Sequence, residues 1–338
     1  MKILVTGGAG FIGSNYLLLM CKKHPEDFYV CLDKLTYAGN LLTLSPLKTA
    51  KNFKFVKGDI CDVEFIDELF AKDKFDIVIN FAAETHVDRS IENPSLFIFN
   101  NVSGTANLLE ASRKYAVKRF HQVSTDEVYG DLPLNDPTAL FKETDVLHPS
   151  SPYSASKASA DLLVLSYGRT FNLPVSISRC SNNYGPYQFP EKLIPFMIDR
   201  ALTNEKLPVY GDGKNVRDWL HVADHCEAID LIIRKGIVGE IYNIGGHNER
   251  DNLSIVRTIL KLLGKDDTAI NFVKDRAGHD RRYAINPTKI ETLGWKAKHN
   301  FDTGIVDTIQ WNMKNRKWID DVKSGEYRRF TDLYYKGR

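Results

Sequence analysis

Residues 2–13 read KILVTGGAGFIG, a short apolar run that passes directly into a glycine-rich turn. The uninterrupted apolar residues predict a buried strand of a parallel sheet. Gly7, Gly10 and Gly13 follow at intervals of three residues. Glycines so placed permit a tight turn, let the backbone approach a pyrophosphate, and let a helix pack closely on the strand. We therefore predict a dinucleotide-binding turn, with the N-terminal N–H groups of a helix at about Phe11–Lys23 directed at the phosphates.

Acidic residues follow the next two predicted strands. The strand Phe28–Leu32 ends at Asp33, where a carboxylate can accept hydrogen bonds from ribose hydroxyls and would repel a 2′-phosphate. This position favours NAD over NADP. Asp59 follows the predicted strand Phe53–Val56, at the strand end where ligands bind in such sheets, and we expect it near the adenine.

Strands and helices alternate through the first half of the chain, which predicts an α/β fold with a Rossmann-type doubly wound parallel sheet. The further predicted strands are Ile77–Asn80, Arg119–Val123 and Pro174–Arg179, and the further predicted helices are Val63–Ala71, Pro94–Tyr115 and Tyr153–Phe171. We expect residues 1–180 to form the NAD-binding domain with the catalytic residues. Residues 181–338 then form mainly a smaller α/β domain for the substrate, with some segments returning to the large sheet.

Composition excludes several classes of partner. The 338 residues include 45 basic and 43 acidic side chains, and this near balance gives no bulk charge for a nucleic acid or membrane surface. Five widely spaced cysteines without a C-x-x-C pair favour a reducing compartment, and the chain lacks an apolar run typical of a signal peptide or a membrane span. We predict the cytoplasm. His221 and His225 lack a third ligand in their motif, so we predict a structural role and no metal.

The densest chemistry lies between the strand that ends near Val123 and the helix that begins near Tyr153. Tyr153 and Lys157 are four residues apart and share one helix face. The lysine ammonium and a cationic nicotinamide ring should lower the pKa of the tyrosine, so that it can take a proton from a hydroxyl. Asp126 and Glu127 are adjacent carboxyl groups whose pKa values can be split in a dry pocket, although their spacing does not assign the acid and the base.

The glycine turn and Tyr153-x-x-x-Lys157 together resemble the extended short-chain dehydrogenase/reductase superfamily. Within that superfamily, four strings resemble the dTDP-glucose 4,6-dehydratase family: STDEVYG at 124–130, YSASKASAD at 153–161, RCSNNYGPYQFPEKLIP at 179–195 and GHDRRYAI at 278–285. The resemblance covers nearly the whole chain. It implies a hydro-lyase that converts dTDP-glucose to dTDP-4-keto-6-deoxyglucose in deoxysugar biosynthesis, with NAD recycled.

The resemblance also implies roles for the central residues. Hydride leaves C4 of glucose for NAD⁺ while Tyr153, helped by Thr125, handles the O4 proton. The C4 ketone acidifies the C5 hydrogen, which Glu127 removes, and Asp126 protonates the departing C6 hydroxyl. Hydride then returns to C6.

Residue patterns and the resemblance together give two predicted binding sets. The cofactor set is Gly7, Gly10, Phe11, Ile12, Gly13, Asp33, Asp59, Ile60, Ala82, Ala83, Thr85, Asn100, Tyr153, Lys157 and Asn183. The substrate set is Thr85, Thr125, Asn182, Lys192, Leu193, Pro208, Val209, Tyr210, Arg217, Asn252, Asp275, Arg276 and His279. In the substrate set, residues 208–210 are expected around the base and Arg217 at the diphosphate. The segment 207–222 also reads as a β-hairpin around a Gly-Asp-Gly turn, and Leu193 is equally a candidate core residue.

The resemblance further implies a homodimer in which helices near 101–115 and 153–171 form a four-helix bundle. Two alternatives stay open. One is a related UDP-sugar 4,6-dehydratase or 4-epimerase, although Asp126–Glu127 disfavours an epimerase. The other is a non-catalytic NAD-binding protein, which would have no need of Thr125, Tyr153 and Lys157.

Overall fold

The computed structural model of the chain describes residues 1–275 and 278–323. The strands of the chain are β1 (Lys2–Thr6), β2 (Phe28–Asp33), β3 (Phe53–Lys57), β4 (Ile77–Asn80), β5 (Arg119–Thr125), β6 (Val175–Cys180), β7 (Asn182–Tyr184), β8 (Leu207–Tyr210), β9 (Val216–His221), β10 (Ile241–Ile244), β11 (Glu249–Asp251), β12 (Ile270–Val273) and β13 (Arg282–Tyr283). Seven of them form the largest sheet, which is parallel and has the order β10-β6-β5-β4-β1-β2-β3. The parallel order confirms the predicted doubly wound α/β fold.

Helices cover both faces of the seven-stranded sheet, and other helices belong to a smaller unit. The helices of the chain are α1 (Phe11–Lys23), α2 (Val63–Asp73), α3 (Val87–Glu92), α4 (Pro94–Phe97), α5 (Gly104–Lys114), α6 (Pro152–Phe171), α7 (Leu193–Leu202), α8 (Val222–Lys235), α9 (Asn252–Leu262), α10 (Thr288–Thr292), α11 (Phe301–Lys314) and α12 (Arg316–Val322). Alternate residues of β1 face opposite sides, so Ile3 and Val5 pack with α1 and α8 while Leu4 packs with α2, α5 and α6. Both faces are therefore buried, which explains why the strands are apolar without alternation.

A smaller unit lies beyond β6. It contains a sheet in which β9 pairs with β7, β11 and β13, and a separate parallel pair of β8 and β12. Its core joins α7, α9 and α11 through buried residues such as Ile194, Ile259 and Ile305. The predicted hairpin in this unit is wrong, because β8 and β9 lie in different sheets. The Gly-Asp-Gly turn changes the direction of the chain between sheets and does not close a ladder.

One predicted helix is interrupted by a change of helical type. The helical pattern at Pro94–Tyr115 continues through α4 and α5, but the six residues Ile98–Ser103 between them form a π-helix. This wider turn buries two consecutive side chains, Asn100 and Asn101. A π segment inside a helix is frequent at functional sites.

Two segments of the second half belong with the first half by their packing. The strand β10 pairs with β6 at the edge of the large sheet, and Val222, Cys226 and Ile229 of α8 pack in the core formed with α1. Within the described residues, every helix is too short or too polar to cross a membrane.

Candidate active site

The carboxyl ends of the parallel strands open into a cleft of about 290 Å³. We call it the first cleft. Its lining includes fifteen predicted residues: Gly7, Gly10, Phe11, Ile12, Gly13, Asp33, Asp59, Ile60, Ala82, Ala83, Thr85, Asn100, Tyr153, Lys157 and Asn183. The structure therefore brings the entire predicted cofactor set to one cleft.

The glycine turn gives this cleft a floor of bare backbone. Gly7 has φ of +66°, and a Cβ there would lie 2.6 Å from the backbone nitrogen of Ala82. A Cβ on Gly13 would lie 2.5 Å from the Gly7 carbonyl oxygen. Gly10 meets only that same oxygen, at 3.3 Å, and it lines the cleft. Side chains are thus excluded where a pyrophosphate would contact the turn, and the residues fit a dinucleotide.

Several polar side chains that line the first cleft already have hydrogen-bond partners within the protein. Asp33 accepts hydrogen bonds from the backbone N–H groups of Ala9 at 3.0 Å and Leu35 at 2.8 Å. Lys34, which sequence reasoning missed, contacts Asp59 at 3.4 Å and also donates to Asn100. These hydrogen bonds fix the side chains before any ligand binds. The position of Lys34 was a signal in the sequence, because it directly follows the strand that ends at Asp33.

Thr125 is the last residue of β5, and Asp126 and Glu127 follow it directly. Thr125 caps a short 3-10 turn at Asp126–Tyr129, because its Oγ1 accepts a hydrogen bond from the Glu127 N–H at 3.3 Å. Its hydroxyl also lies 3.3 Å from Asp126 Oδ1. The turn places the two adjacent carboxyl groups differently: Asp126 is 2 % exposed and lines the first cleft, whereas Glu127 lines two clefts.

The environment of Asp126 favours its protonated form. Burial raises its pKa well above the usual value, and the negative charges of Glu127 and Asp218 raise it further, against the lowering effect of Arg217. Oδ2 of Asp126 has no hydrogen-bond partner in the described part of the chain. A buried, protonated carboxyl group with one uncommitted oxygen can act as a general acid.

Tyr153 and Lys157 lie together at the start of α6, as their spacing predicts. Ser151 and Pro152 begin this helix, with Ser151 forming a capping box with Ser154. The predicted lowering of the Tyr153 pKa is wrong for the protein itself. Burial raises that pKa well above its usual value, and the Glu127 charge raises it further. The Lys157 ammonium is directed at the Val123 carbonyl oxygen, 2.8 Å away.

A second cleft, of about 190 Å³, adjoins the first one. The two clefts share five lining residues: Thr85, Glu127, Asn182, Glu191 and Lys192. The second cleft also contains seven further members of the predicted substrate set: Leu193, Pro208, Val209, Tyr210, Arg217, Asn252 and His279. Thr125 lines only the first cleft. Cofactor and substrate sets therefore occupy neighbouring spaces that meet beside Glu127.

The remaining substrate predictions have distinct positions. Asp275 lies behind the second cleft, with its carboxylate 2.6 Å from Nδ1 of His279. Arg217 donates to the carbonyl oxygens of Val216 and Asp280, and its guanidinium stacks 4.2 Å from the ring centre of Tyr283. Arg276 lies outside the described residues.

The consecutive residues Asn182 and Asn183 differ in whether their side-chain oxygens have hydrogen-bond partners in the protein. The Asn183 amide donates to the Ser181 carbonyl oxygen at 2.9 Å, and its own oxygen lies 2.9 Å from Nδ1 of His225. Burial lowers the pKa of His225 to about 3, so this histidine is neutral and serves to hold the amide. Asn182 Oδ1, by contrast, is buried and has no hydrogen-bond partner within the described residues. Asn182 is therefore the member of the pair with an oxygen available to a ligand.

Glu191 is the main residue that sequence reasoning missed. It lines both clefts, its side chain is 4 % exposed, and Tyr37 donates a hydrogen bond to its Oε1 at 3.0 Å. Its Oε2 lies 3.6 Å from Nε of Arg89, outside hydrogen-bonding distance. The sequence around Glu191 gave no signal, because its partners Tyr37 and Arg89 are distant along the chain.

Comparisons with known proteins agree with this geometry. Residues 4–308 match the family model described as GDP-mannose 4,6 dehydratase. The dTDP-glucose 4,6-dehydratase of Salmonella typhimurium is 48% identical over 100% of both chains. A crystal structure of dTDP-glucose 4,6-dehydratase from Bacillus anthracis in complex with NAD is 49% identical, with a TM-score of 0.89, and covers 96% of this chain and 100% of that chain.

A second solved structure, dTDP-glucose 4,6-dehydratase from Streptomyces venezuelae with NAD bound, is 45% identical with a TM-score of 0.91. It covers 96% of this chain and 100% of its own. These similarities extend over both clefts and across almost the whole sequence. The chain therefore belongs to the dTDP-glucose 4,6-dehydratase family of the extended short-chain dehydrogenases/reductases.

Proposed function

We propose that the chain is an NAD-dependent hydro-lyase that converts dTDP-glucose to dTDP-4-keto-6-deoxyglucose and water. The observation that carries this proposal is the Asp126–Glu127 pair at the junction of the two clefts. Moving hydride at one carbon requires no such pair, whereas eliminating water requires an acid and a base near adjacent carbons. The full-length similarity to dTDP-glucose 4,6-dehydratases supports the same reaction.

The residues of the first cleft suit the redox part of the reaction. When bound, NAD accepts the C4 hydride, returns it to C6, and favours the Tyr153 phenolate through its positively charged ring. Tyr153 then takes the O4 proton, and the Thr125 hydroxyl orients the same oxygen. Lys157 contributes a second positive charge from the floor of the cleft. Asp33 sets the preference for NAD over NADP by its negative charge near the ribose.

The carboxyl pair suits the elimination. Glu127 removes the C5 proton, which the C4 ketone has made acidic, and Asp126 gives its proton to the C6 hydroxyl as the C–O bond breaks. Water leaves and a C5–C6 double bond forms. When hydride arrives at C6, Glu127 returns a proton to C5 and C4 remains a carbonyl. The proton that Tyr153 took from O4 balances the proton that Asp126 gave to the water, and exchange with solvent restores both groups before the next turnover. The raised pKa of Asp126 supports its assignment as the acid.

The second cleft suits the nucleotide portion. Asn182 and Asn252 each offer a buried amide oxygen that lacks a partner among the described residues. Arg217 provides the charge for a diphosphate, and Pro208 to Tyr210 form an apolar wall for the base. Glu191 lines both clefts, and its Oε2 is buried without a hydrogen-bond partner among the described residues, so it could accept a hydrogen bond from a sugar hydroxyl.

The decisive experiment incubates the enzyme with dTDP-glucose and NAD⁺ and follows the sugar by NMR. We expect a 4-keto-6-deoxy product with no net accumulation of reduced cofactor. Return of the hexose unchanged or epimerised at C4 would refute the proposal. Equal or faster turnover of UDP-glucose in parallel would instead assign the related UDP-sugar 4,6-dehydratase activity.

We also propose a homodimer formed through the helical segments at 101–115 and 153–171. The π segment, α5 and α6 pack against one another, and exposed apolar side chains lie on them and on the neighbouring α4: Leu96, Phe99, Leu162 and Phe171. Leu162 is 59% and Phe99 55% exposed, and exposed apolar patches of this kind mark interfaces. Sedimentation should give a dimer that Leu162→Glu dissociates and that Val146→Glu, an exposed loop control, leaves intact. A wild-type monomer would refute it.

We likewise propose that residues 1–180 form the NAD-binding domain and residues 181–338 mainly the substrate domain. In this division α8 and β10 belong with the NAD-binding domain, because they pack against it. The five cysteines are free thiols, which supports the cytoplasm as the compartment. Cell fractionation with antibody detection would test the location.

A further inference from the structure

A buried ion pair lies beneath the catalytic face of α6, and no step of the proposed reaction uses it. Asp161 follows Lys157 by one helical turn, so the two side chains share a face. Its Oδ2 accepts a hydrogen bond from Nε of Arg179 on β6 at 2.9 Å. Asp161 is fully buried and Arg179 is 2 % exposed. We propose that Asp161, held by Arg179, is a positioning residue whose negative charge, one helical turn from Lys157, keeps the Lys157 ammonium charged at the floor of the first cleft.

Lys157 requires such help because its own site opposes its charge. It is 4 % exposed, and burial lowers the pKa of its ammonium. Its Nζ has a carbonyl partner, the Val123 oxygen, but a carbonyl supplies only a partial charge. Among the groups that raise this pKa, the Asp161 carboxylate has the largest effect, followed by Cys180.

Other titratable groups near this face lie on three elements. They are Tyr153 and Asp161 on α6, Arg179 and Cys180 on β6, and Asp126 and Glu127 on the turn after β5. Asp126 and Glu127 act on Tyr153, and Asp126 is held protonated by its surroundings. Asp161 is consequently the fixed negative charge with the largest effect on the pKa of Lys157.

Arg179 keeps that negative charge in place. Burial raises the pKa of Asp161, and the positive charges of Arg179 and then Lys157 oppose the rise. The guanidinium carbon of Arg179 lies 4.8 Å from the ring centre of Tyr129, whose hydroxyl donates to Asn243 on β10 at 2.8 Å. A chain of contacts therefore runs from Asp161 through Arg179 and Tyr129 to the edge strand, and it holds the carboxylate on the Lys157 side of α6.

A purely structural ion pair between α6 and β6 is the competing explanation. It predicts lower stability on mutation but no change in the titration of Lys157. The inference depends on the proposed function only for what Lys157 does in catalysis, because the charge of Lys157 can be measured without substrate.

The test titrates Lys157 directly. In enzyme labelled with ¹³C at the lysine ε-carbons, the Lys157 resonance is assigned by its loss in Lys157→Met and followed with pH. Asp161→Asn keeps the size and the acceptor for Arg179 but removes the charge. We expect the Lys157 pKa to fall by about one unit or more, and Asp161→Glu to restore most of it.

Turnover should move with the titration. Because the ammonium is lost as the pH rises through its pKa, the alkaline limb of the kcat profile should move to lower pH by the same amount in Asp161→Asn. The matched control is Asp199→Asn, which removes a buried carboxylate paired with Arg316 at 2.8 Å and Lys323 at 2.6 Å, outside both clefts. We expect this control to leave both measurements unchanged.

Loss of folding in Asp161→Asn would not stop the test, because Asp161→Asn combined with Arg179→Gln removes both charges and retains hydrogen-bonding groups. The pKa of Lys157 should still fall below the wild-type value there. A wild-type titration of Lys157 in whichever variant folds, or an equal shift in the Asp199 control, overturns the proposal. Failure of wild-type enzyme to dehydrate dTDP-glucose would refute the function instead and leave the Lys157 titration intact.

Discussion

The two clefts satisfy their polar groups in opposite ways. Among the predicted cofactor residues of the first cleft, Asp33, Asn100 and Asn183 are held by hydrogen bonds from the protein itself. Where the substrate would lie, in the second cleft and at the junction, Asn252 and Asn182 keep buried oxygens without partners in the described part of the chain. A set of polar groups that is satisfied internally can hold a ligand through shape and backbone contact. A site with uncommitted acceptors gains most when a ligand supplies the donors.

This difference fits a cofactor that is regenerated in place and a substrate that must enter and leave. The first cleft lies on the seven-stranded sheet, whereas the second is assembled from short strands, a loop and residues of α3, α7 and α9. Mutations should therefore affect the first cleft through packing and the second through individual hydrogen bonds. Substitution of Glu127, at the junction, should change the rate of the chemical step and leave the binding of cofactor and substrate largely unchanged.

The largest effect is expected from Glu127→Gln. Removing the base should slow water elimination by about 10²- to 10⁴-fold while oxidation at C4 survives, because Tyr153 is unchanged. Rapid mixing would follow the reduced-cofactor absorbance together with product formation, and Glu110→Gln on the exposed face of α5 is the control. Equal loss of both steps would contradict the division between Glu127 and Tyr153.

The next effect separates packing from binding within the glycine turn. A Cβ at position 13 would lie 2.5 Å from the Gly7 carbonyl oxygen, so Gly13→Ala should destabilise the protein by ~1–3 kcal/mol and weaken NAD binding. Gly10→Ala meets no such clash and should weaken NAD binding with little loss of stability. Urea unfolding and calorimetric NAD titration measure the two quantities. If both variants behaved alike, the turn would not be a rigid cradle.

A smaller effect is expected in the second cleft. Asn252→Ala removes one acceptor for the substrate and should raise KM about 2- to 10-fold with kcat little changed, since one hydrogen bond contributes about 0.5–1.5 kcal/mol. Asn271→Ala on the exposed face of β12 is the matched control. A fall in kcat at constant KM would mean that Asn252 acts in the transition state and not in ground-state binding.

The smallest effect concerns pH. The folded protein lowers the pKa of His225 to about 3, so the unfolded chain binds a proton that the folded chain does not as the pH falls from about 6.5 towards 3. Stability should therefore decrease with acidification, by ~1 kcal/mol at most for this histidine between pH 7 and pH 6. Urea titrations at the two pH values should show a weaker dependence in His225→Gln. An unchanged dependence would mean that His225 does not set this part of it.

The sequence predicted most of the first cleft because its signals are local. Gly7, Gly10 and Gly13 have a spacing that only a strand–turn–helix explains, and the residues at 153 and 157 share a face by helical period alone. The apolar runs predicted the strands for the same reason, since a strand buried on both faces is continuously apolar. Each of these inferences needs only neighbours along the chain.

The failures arose where distant residues decide. Burial and Glu127 raise the pKa of Tyr153, and neither effect is visible from its helix neighbours. The hairpin failed because β8 pairs with β12, about 60 residues further along, which the turn residues cannot indicate. Glu191 acquires its position only when Tyr37 and Arg89 approach from another part of the chain.

The π segment at Ile98–Ser103 has a consequence for insertions and deletions. Its wider turn accommodates one residue more than an α-helix of equal rise, so Asn100 can contact Lys34 while Asn101 bonds Ser156 on α6. Deleting a single residue there would restore a regular α-helix and leave α5 in its present orientation, because the wider turn already absorbs the extra residue. Two consecutive side chains could then no longer both face inward, so either the Asn100 contact with Lys34 or the Asn101 contact with Ser156 would be lost. Chain length in this short stretch is therefore as constrained as residue type.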